Sequence, residues 1–124
     1  MNNWPQMTKE LSAQLRNLRG GAPEVMKAFA GIAQAATAAK ALDAKTKELI
    51  ALGIGVAVRC DDCIAFHVKA AVEQGASKEE VLETLGMAIY MGAGPSVMYA
   101  SHALEAFTQF AVAAKPEKAT LAPA

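Results

Sequence analysis

Apolar residues recur along most of the chain at helical spacing and nowhere with the alternation of a strand. Leu11, Leu15 and Leu18 share one face of a first predicted helix over 8–19, which Gly20-Gly21 closes. Pro23 stands where a helix can open, and Val25, Phe29, Ile32 and Ala36 form the next stripe. Asp43 suits the N-cap of a third helix, 44–58. Past Glu48 that segment is almost wholly apolar, which predicts burial on all sides. Gly53 and Gly55 lower its helix propensity, so their expected use is close helix packing. A fourth helix follows over 61–74, with Asp61 or Asp62 near its cap and Gly75 at its end. Ser77-Lys78-Glu79-Glu80 is a capping-box pattern that opens a fifth, 78–91. Gly92-Ala93-Gly94-Pro95 breaks the chain, and Pro95 opens a sixth helix to about Ala114.

Composition agrees with an all-α fold. Hydrophobic residues make up 53% of 124, and 28 of them are alanine, the best helix former. The length suits one domain: a single-domain bundle of about six helices. Within it, 1–19 reads as an N-terminal helical arm, 20–114 as the domain proper and 115–124 as a flexible tail. Twelve basic residues balance twelve acidic ones, which argues against a nucleic-acid partner. Zero net charge with a mean hydropathy of +0.20 fits a homo-oligomer that hides apolar helix faces better than a solitary monomer. The N-terminus lacks the basic-then-apolar order of a secretory signal. The longest apolar run, Leu49 to Val58, is about half a membrane span. The expectation is a cytoplasmic chain with no membrane partner. In that reducing compartment two cysteines three apart point to catalysis or metal binding rather than a structural staple.

Those cysteines, Cys60 and Cys63, stand in Arg59-Cys60-Asp61-Asp62-Cys63-Ile64-Ala65-Phe66-His67. At a helix start, unpaired N–H groups and the macrodipole stabilise a thiolate. Helical spacing brings both sulfurs to one side, within reach of a disulfide. His67 follows Cys63 by four and can accept its proton. Glu48 sits before an apolar stretch, and a carboxylate there needs a partner if buried; His67 is the natural one. Cys60 is nearer the helix end, whereas Cys63 has the histidine one turn on, so chemistry alone leaves the attacking thiol open.

The pattern E-x11-C-x2-C-x3-H, made by Glu48, Cys60, Cys63 and His67, resembles the signature of alkylhydroperoxidase AhpD-like proteins of the carboxymuconolactone decarboxylase superfamily. Lys47-Glu48-Leu49-Ile50 upstream is similar too, as are Gly94-Pro95, Met98-Tyr99-Ala100 and His102-Ala103-Leu104-Glu105-Ala106 downstream. The resemblance covers roughly 20–110. It implies a trimer or hexamer with the CxxC helix near a subunit interface. It implies a peroxidase or disulfide-reductase cycle on a small hydroperoxide, with Cys63 attacking, Cys60 resolving, and Glu48 and His67 relaying the proton. It also implies no bound cofactor or metal, and an external dithiol reductant, lipoyl-bearing or thioredoxin-like. Well-known members carry a histidine directly before the second cysteine; here that residue is Asp62, beside Asp61. Two carboxylates next to the thiols raise the thiol pKa, which predicts slower peroxide chemistry.

Blander readings stand beside this one. The cysteines can be inert small hydrophobes. They can join His67 in a zinc site, although a closed site needs a fourth ligand and only His102 is left to supply it. Glu48 can be a surface residue paired with Lys45 or Lys47, and Asp61 and Asp62 simple caps. His102, Tyr90 and Tyr99 read as packing or interface residues. Two further functions remain: the decarboxylase chemistry of the superfamily's name, and a non-catalytic redox-sensing oligomer. The first wants cations for a polyanionic lactone, and between 48 and 114 only Arg59, Lys69 and Lys78 are available.

Overall fold

The computed structural model describes residues 2–121, with side chains from 2 to 114. Five helices follow in order: α1 (Trp4–Gly21), α2 (Pro23–Thr37), α3 (Ala44–Ala57), α4 (Asp61–Glu73) and α5 (Lys78–Leu121). The fold is all-α, in keeping with composition and periodicity. α3, α4 and α5 form the body of the bundle. Leu52 and Val56 of α3, Ile64, Ala65 and Val68 of α4, and Val81, Leu85, Ala103 and Ala106 of α5 make up most of its core. Alanine at 71, 88, 100, 103 and 106 lets these helices approach closely.

The expected fifth and sixth helices are one element with a sharp break. Ala93 (φ 56°, ψ −142°) lies outside helical space, and it is the one non-helical residue between two helical stretches. Gly92 has a specific reason there, since a Cβ on it would overlap Ser96 Oγ. Pro95 follows in the first turn beyond the break, where a missing N–H costs little. The first helix begins at Trp4 rather than residue 8. Asn3 caps it by accepting the Gln6 N–H at 3.1 Å, and Pro5 lies in its first turn. Trp4 is completely buried. Its backbone N–H donates to Gln109 Oε1 at 2.7 Å and its indole N–H to Glu105 Oε1 at 2.6 Å, tying the chain's start to α5.

Two other expectations change. The α2 stripe does not face a core: α2 buries none of its residues, and Phe29 is 62% exposed. Its end is held by Lys47, whose ammonium donates to the carbonyls of Ala36 and Ala38 at 2.9 and 2.7 Å. α3 is not buried all round either. Leu52, Gly55 and Val56 are buried, while Ile50, Ile54 and Val58 are exposed. The first half of α5 diverges from α3 enough to leave an apolar groove of about 480 Å³, lined by Leu49, Ile50, Ile54, Met87 and Met91 among others. The expectation of a flexible tail over 115–124 falls outside the residues whose side chains are described.

Candidate active site

The turn between α3 and α4 places the cysteines. α3 closes in a Schellman arrangement: the Arg59 N–H bonds to the Val56 carbonyl at 3.1 Å and the Cys60 N–H to the Gly55 carbonyl at 2.9 Å. Arg59 takes the left-handed position at φ 61°. Cys60 therefore ends one helix and caps the next. Its Sγ accepts the N–H of Cys63 at 3.1 Å, the bond expected of an N-cap side chain. Cys60 and Cys63 are joined as a disulfide, with Cα atoms 5.2 Å apart. Both are half-buried. Gly55 makes the approach possible: a Cβ there would meet Cys63 Cβ at 3.3 Å. Gly53 does the same toward Thr84 Cγ2, at 3.4 Å.

Glu48 and His67, nineteen residues apart, meet across the α3–α4 contact. Glu48 Oε1 lies 2.7 Å from His67 Nδ1. The carboxylate side chain is 15% exposed and the imidazole 33%. A carboxylate accepts and does not donate, so Nδ1 carries the hydrogen and Nε2 keeps its lone pair. His67 is one helical turn beyond Cys63 on α4, so a base with a free lone pair stands on the cysteine's side of the helix. The groove between α3 and α5 opens on the opposite side of α3 from Glu48, because 46, 50, 53, 54 and 57 line it at helical spacing.

A second imidazole–carboxylate pair lies beyond what the sequence shows. His102 Nδ1, on α5, lies 2.9 Å from Oδ1 of Asp61, the first residue of α4 and the next in the chain after Cys60. The His102 ring packs against Tyr99, with centroids 5.0 Å apart, and near Trp4 at 6.2 Å. In the sequence Asp61 reads as a cap and His102 as a packing residue. Forty-one positions separate them, so no local spacing could join them. Asp62 is exposed. Both histidines are thus engaged by carboxylates, and among the described residues no three His, Cys, Asp or Glu side chains gather as a metal site.

The chain's likeness to known proteins runs through this region. Residues 23–106 match the family model described as the Carboxymuconolactone decarboxylase family. A crystal structure of a carboxymuconolactone decarboxylase family protein from Legionella pneumophila superposes with a TM-score of 0.86 at 51% identity, over 90% of this chain and 99% of that one. A Thermotoga maritima family member, for which involvement in the antioxidative response has been suggested, gives a TM-score of 0.82 at 29% identity over 90% and 95% of the two chains. An uncharacterized protein of Cupriavidus necator is 43% identical over 98 residues, 79% of this chain and 87% of its own.

Proposed function

The chain belongs to the carboxymuconolactone decarboxylase family, and from that premise we propose that it is a thiol-dependent antioxidant enzyme of the alkylhydroperoxidase kind. One observation carries the reading: a disulfide-forming CxxC at the start of α4, with the Glu48–His67 pair one turn along the same helix. The suggested antioxidative role of the Thermotoga relative agrees with it.

In the proposed cycle His67 Nε2 takes the proton of Cys63, while Glu48 holds the ring and balances the imidazolium. The thiolate attacks the distal oxygen of a hydroperoxide. An S–O bond forms, the O–O bond breaks, and the leaving alkoxide takes a proton to become the alcohol. Cys63 is now a sulfenic acid. Cys60 attacks it, the S–S bond forms, and hydroxide leaves as water with the proton from Cys60. An external dithiol, lipoyl-bearing or thioredoxin-like, then returns two electrons and two protons by thiol–disulfide exchange. The chain itself holds no cofactor in this scheme. The cycle belongs in the cytoplasm, where a reducing pool can regenerate the dithiol. The open groove and the outward stripe of α2 support a homo-oligomer, a trimer or hexamer, in which those faces are covered. No described helix is long and apolar enough to cross a membrane.

Steady-state reduction of an organic hydroperoxide, with dihydrolipoamide or a thioredoxin as reductant, tests this. The wild type should turn over, and Glu48→Gln, which keeps the shape and removes the charge, should lower kcat roughly 100-fold or more. A wild type that is oxidised once and never cycles would make the protein a redox sensor. One whose thiols ignore peroxide would leave the decarboxylase reading, for which Arg59 and Lys78 are the available cations, since Lys69 faces Glu73 at 3.8 Å.

A further inference from the structure

Asp61 poses an electrostatic problem. It is the residue after Cys60, in the turn whose N–H groups favour a thiolate, and its carboxylate opposes the charge that the turn would support. His102 reaches that carboxylate from α5, at 2.9 Å. Packing holds the histidine in place. Tyr99 packs on its ring one turn earlier in α5, and Trp4 borders it from α1. Trp4 is itself fixed by the 2.6 Å bond to Glu105, which also engages that carboxylate of α5.

We propose that His102 is a positioning residue for the dithiol: it neutralises Asp61 and so keeps Cys60 competent to exist as a thiolate. The pair works on Cys60 as Glu48–His67 works on Cys63, so that each thiol has its own imidazole–carboxylate partner. The consequence falls on the two steps in which Cys60 carries charge. It must be deprotonated to attack the Cys63 sulfenic acid, and it must leave as a thiolate when the external dithiol attacks Cys63 Sγ. In that reduction the S–S bond breaks, a mixed disulfide forms at Cys63, and the electron pair stays on Cys60. The N–H of Cys63, 3.1 Å from Cys60 Sγ, supports the same charge. The other ionisable groups about this corner are Arg59 and Asp62 on the turn, Tyr99 and Glu105 on α5, and Glu48 through His67 on α3.

The inference rests on reading Cys60 as a working thiol, and its test does not need a peroxide. Cys60 is isolated in a Cys63→Ser background, and its alkylation by iodoacetamide is followed against pH. Adding His102→Gln should lower the rate at pH 7 about three- to tenfold, the effect of one unbalanced charge at short range near the surface. Asp61→Asn should raise it, and His102→Gln should then add no further change. The high-pH plateau, where all the thiol is ionised, should stay the same in every variant. Unchanged rates in His102→Gln, or an equal loss when Asp61 is already neutral, would overturn the proposal. So would a fallen plateau, which marks a displaced cysteine rather than an altered charge. Failure of hydroperoxide turnover in the wild type would strike the proposed function and leave this coupling standing.

Discussion

The two turns that bracket α4 are built on one plan with different residues. At its far end the Gly75 N–H bonds to the Val72 carbonyl and the Ala76 N–H to the Ala71 carbonyl, the same Schellman pattern that ends α3. The left-handed residue there is glycine, at φ 83°. Ser77 then caps α5 in a complete capping box: its Oγ accepts the Glu80 N–H at 3.0 Å, and Glu80 Oε1 accepts the Ser77 N–H at 2.9 Å. At the near end the left-handed residue is Arg59 and the cap is the sulfur of Cys60. Local stability would choose Gly and Ser in both places. The departure is confined to the turn that carries the CxxC. Residues needed for thiol chemistry have displaced residues that hold a turn best.

Substitutions can break this contrast. Gly75→Ala should destabilise the protein by about 1 kcal/mol through backbone strain alone, because a Cβ there meets nothing within 4 Å. The reverse change at the other turn, Arg59→Gly, should stabilise by roughly 0.5 kcal/mol. Relief of the left-handed residue is partly offset there by a more flexible unfolded chain. Denaturant melts of both variants check the pair. Equal and same-signed effects would mean that the two turns are not under different constraints.

The capped ends sharpen the contrast with pH. A lysine–carboxylate bond to Lys45 at 2.9 Å and the Ser77 N–H hold the Glu80 carboxyl below its ordinary value. Hydrogen bonds from Thr46, aided by Lys45, do the same for Asp43 at the α3 cap. The stabilisation from these depressed groups is complete above the unfolded carboxyl values, about 4, and is lost as pH falls through the lower folded ones. Lys45 is raised in turn by Glu80, so its share is complete below the ordinary lysine value and is lost as pH rises through the folded one. Both carboxylates lie at the surface, so the expected effect is the smallest of the three. Thermal melts should show the fall in Tm from pH 5 to pH 3 shrink in Asp43→Asn and Glu80→Gln, whereas a variant that keeps the wild-type acid slope would remove the assignment.

Much of this is legible in the chain. Asp43, Ser77 with Glu80, and Cys60-x-x-Cys63 are signals written within four residues, and each forms the cap or bond its spacing implies. Glu48 and His67 can be paired because a carboxylate and an imidazole beside an apolar run have few other partners. What stays hidden depends on contacts between distant segments. Trp4 precedes the first apolar stripe and carries no local signal, yet it is buried by α5 residues about a hundred positions away. His102 finds Asp61 only through the packing of α5 on α4. The apolar stripe of α2 predicts a helix but not where its face will point, since periodicity gives a direction and no neighbour.

The order of attack by the two thiols is the centre of the account, and sulfenic acid trapping reads it most directly. Reduced Cys60→Ser protein would be exposed to one equivalent of an organic hydroperoxide with dimedone present, and the adduct located by peptide mass. The account predicts a stoichiometric adduct on Cys63 that His67→Ala slows strongly. An unmodified Cys63 in that variant, with ready adduct formation on Cys60 in Cys63→Ser, would contradict it and reverse the roles of the two cysteines.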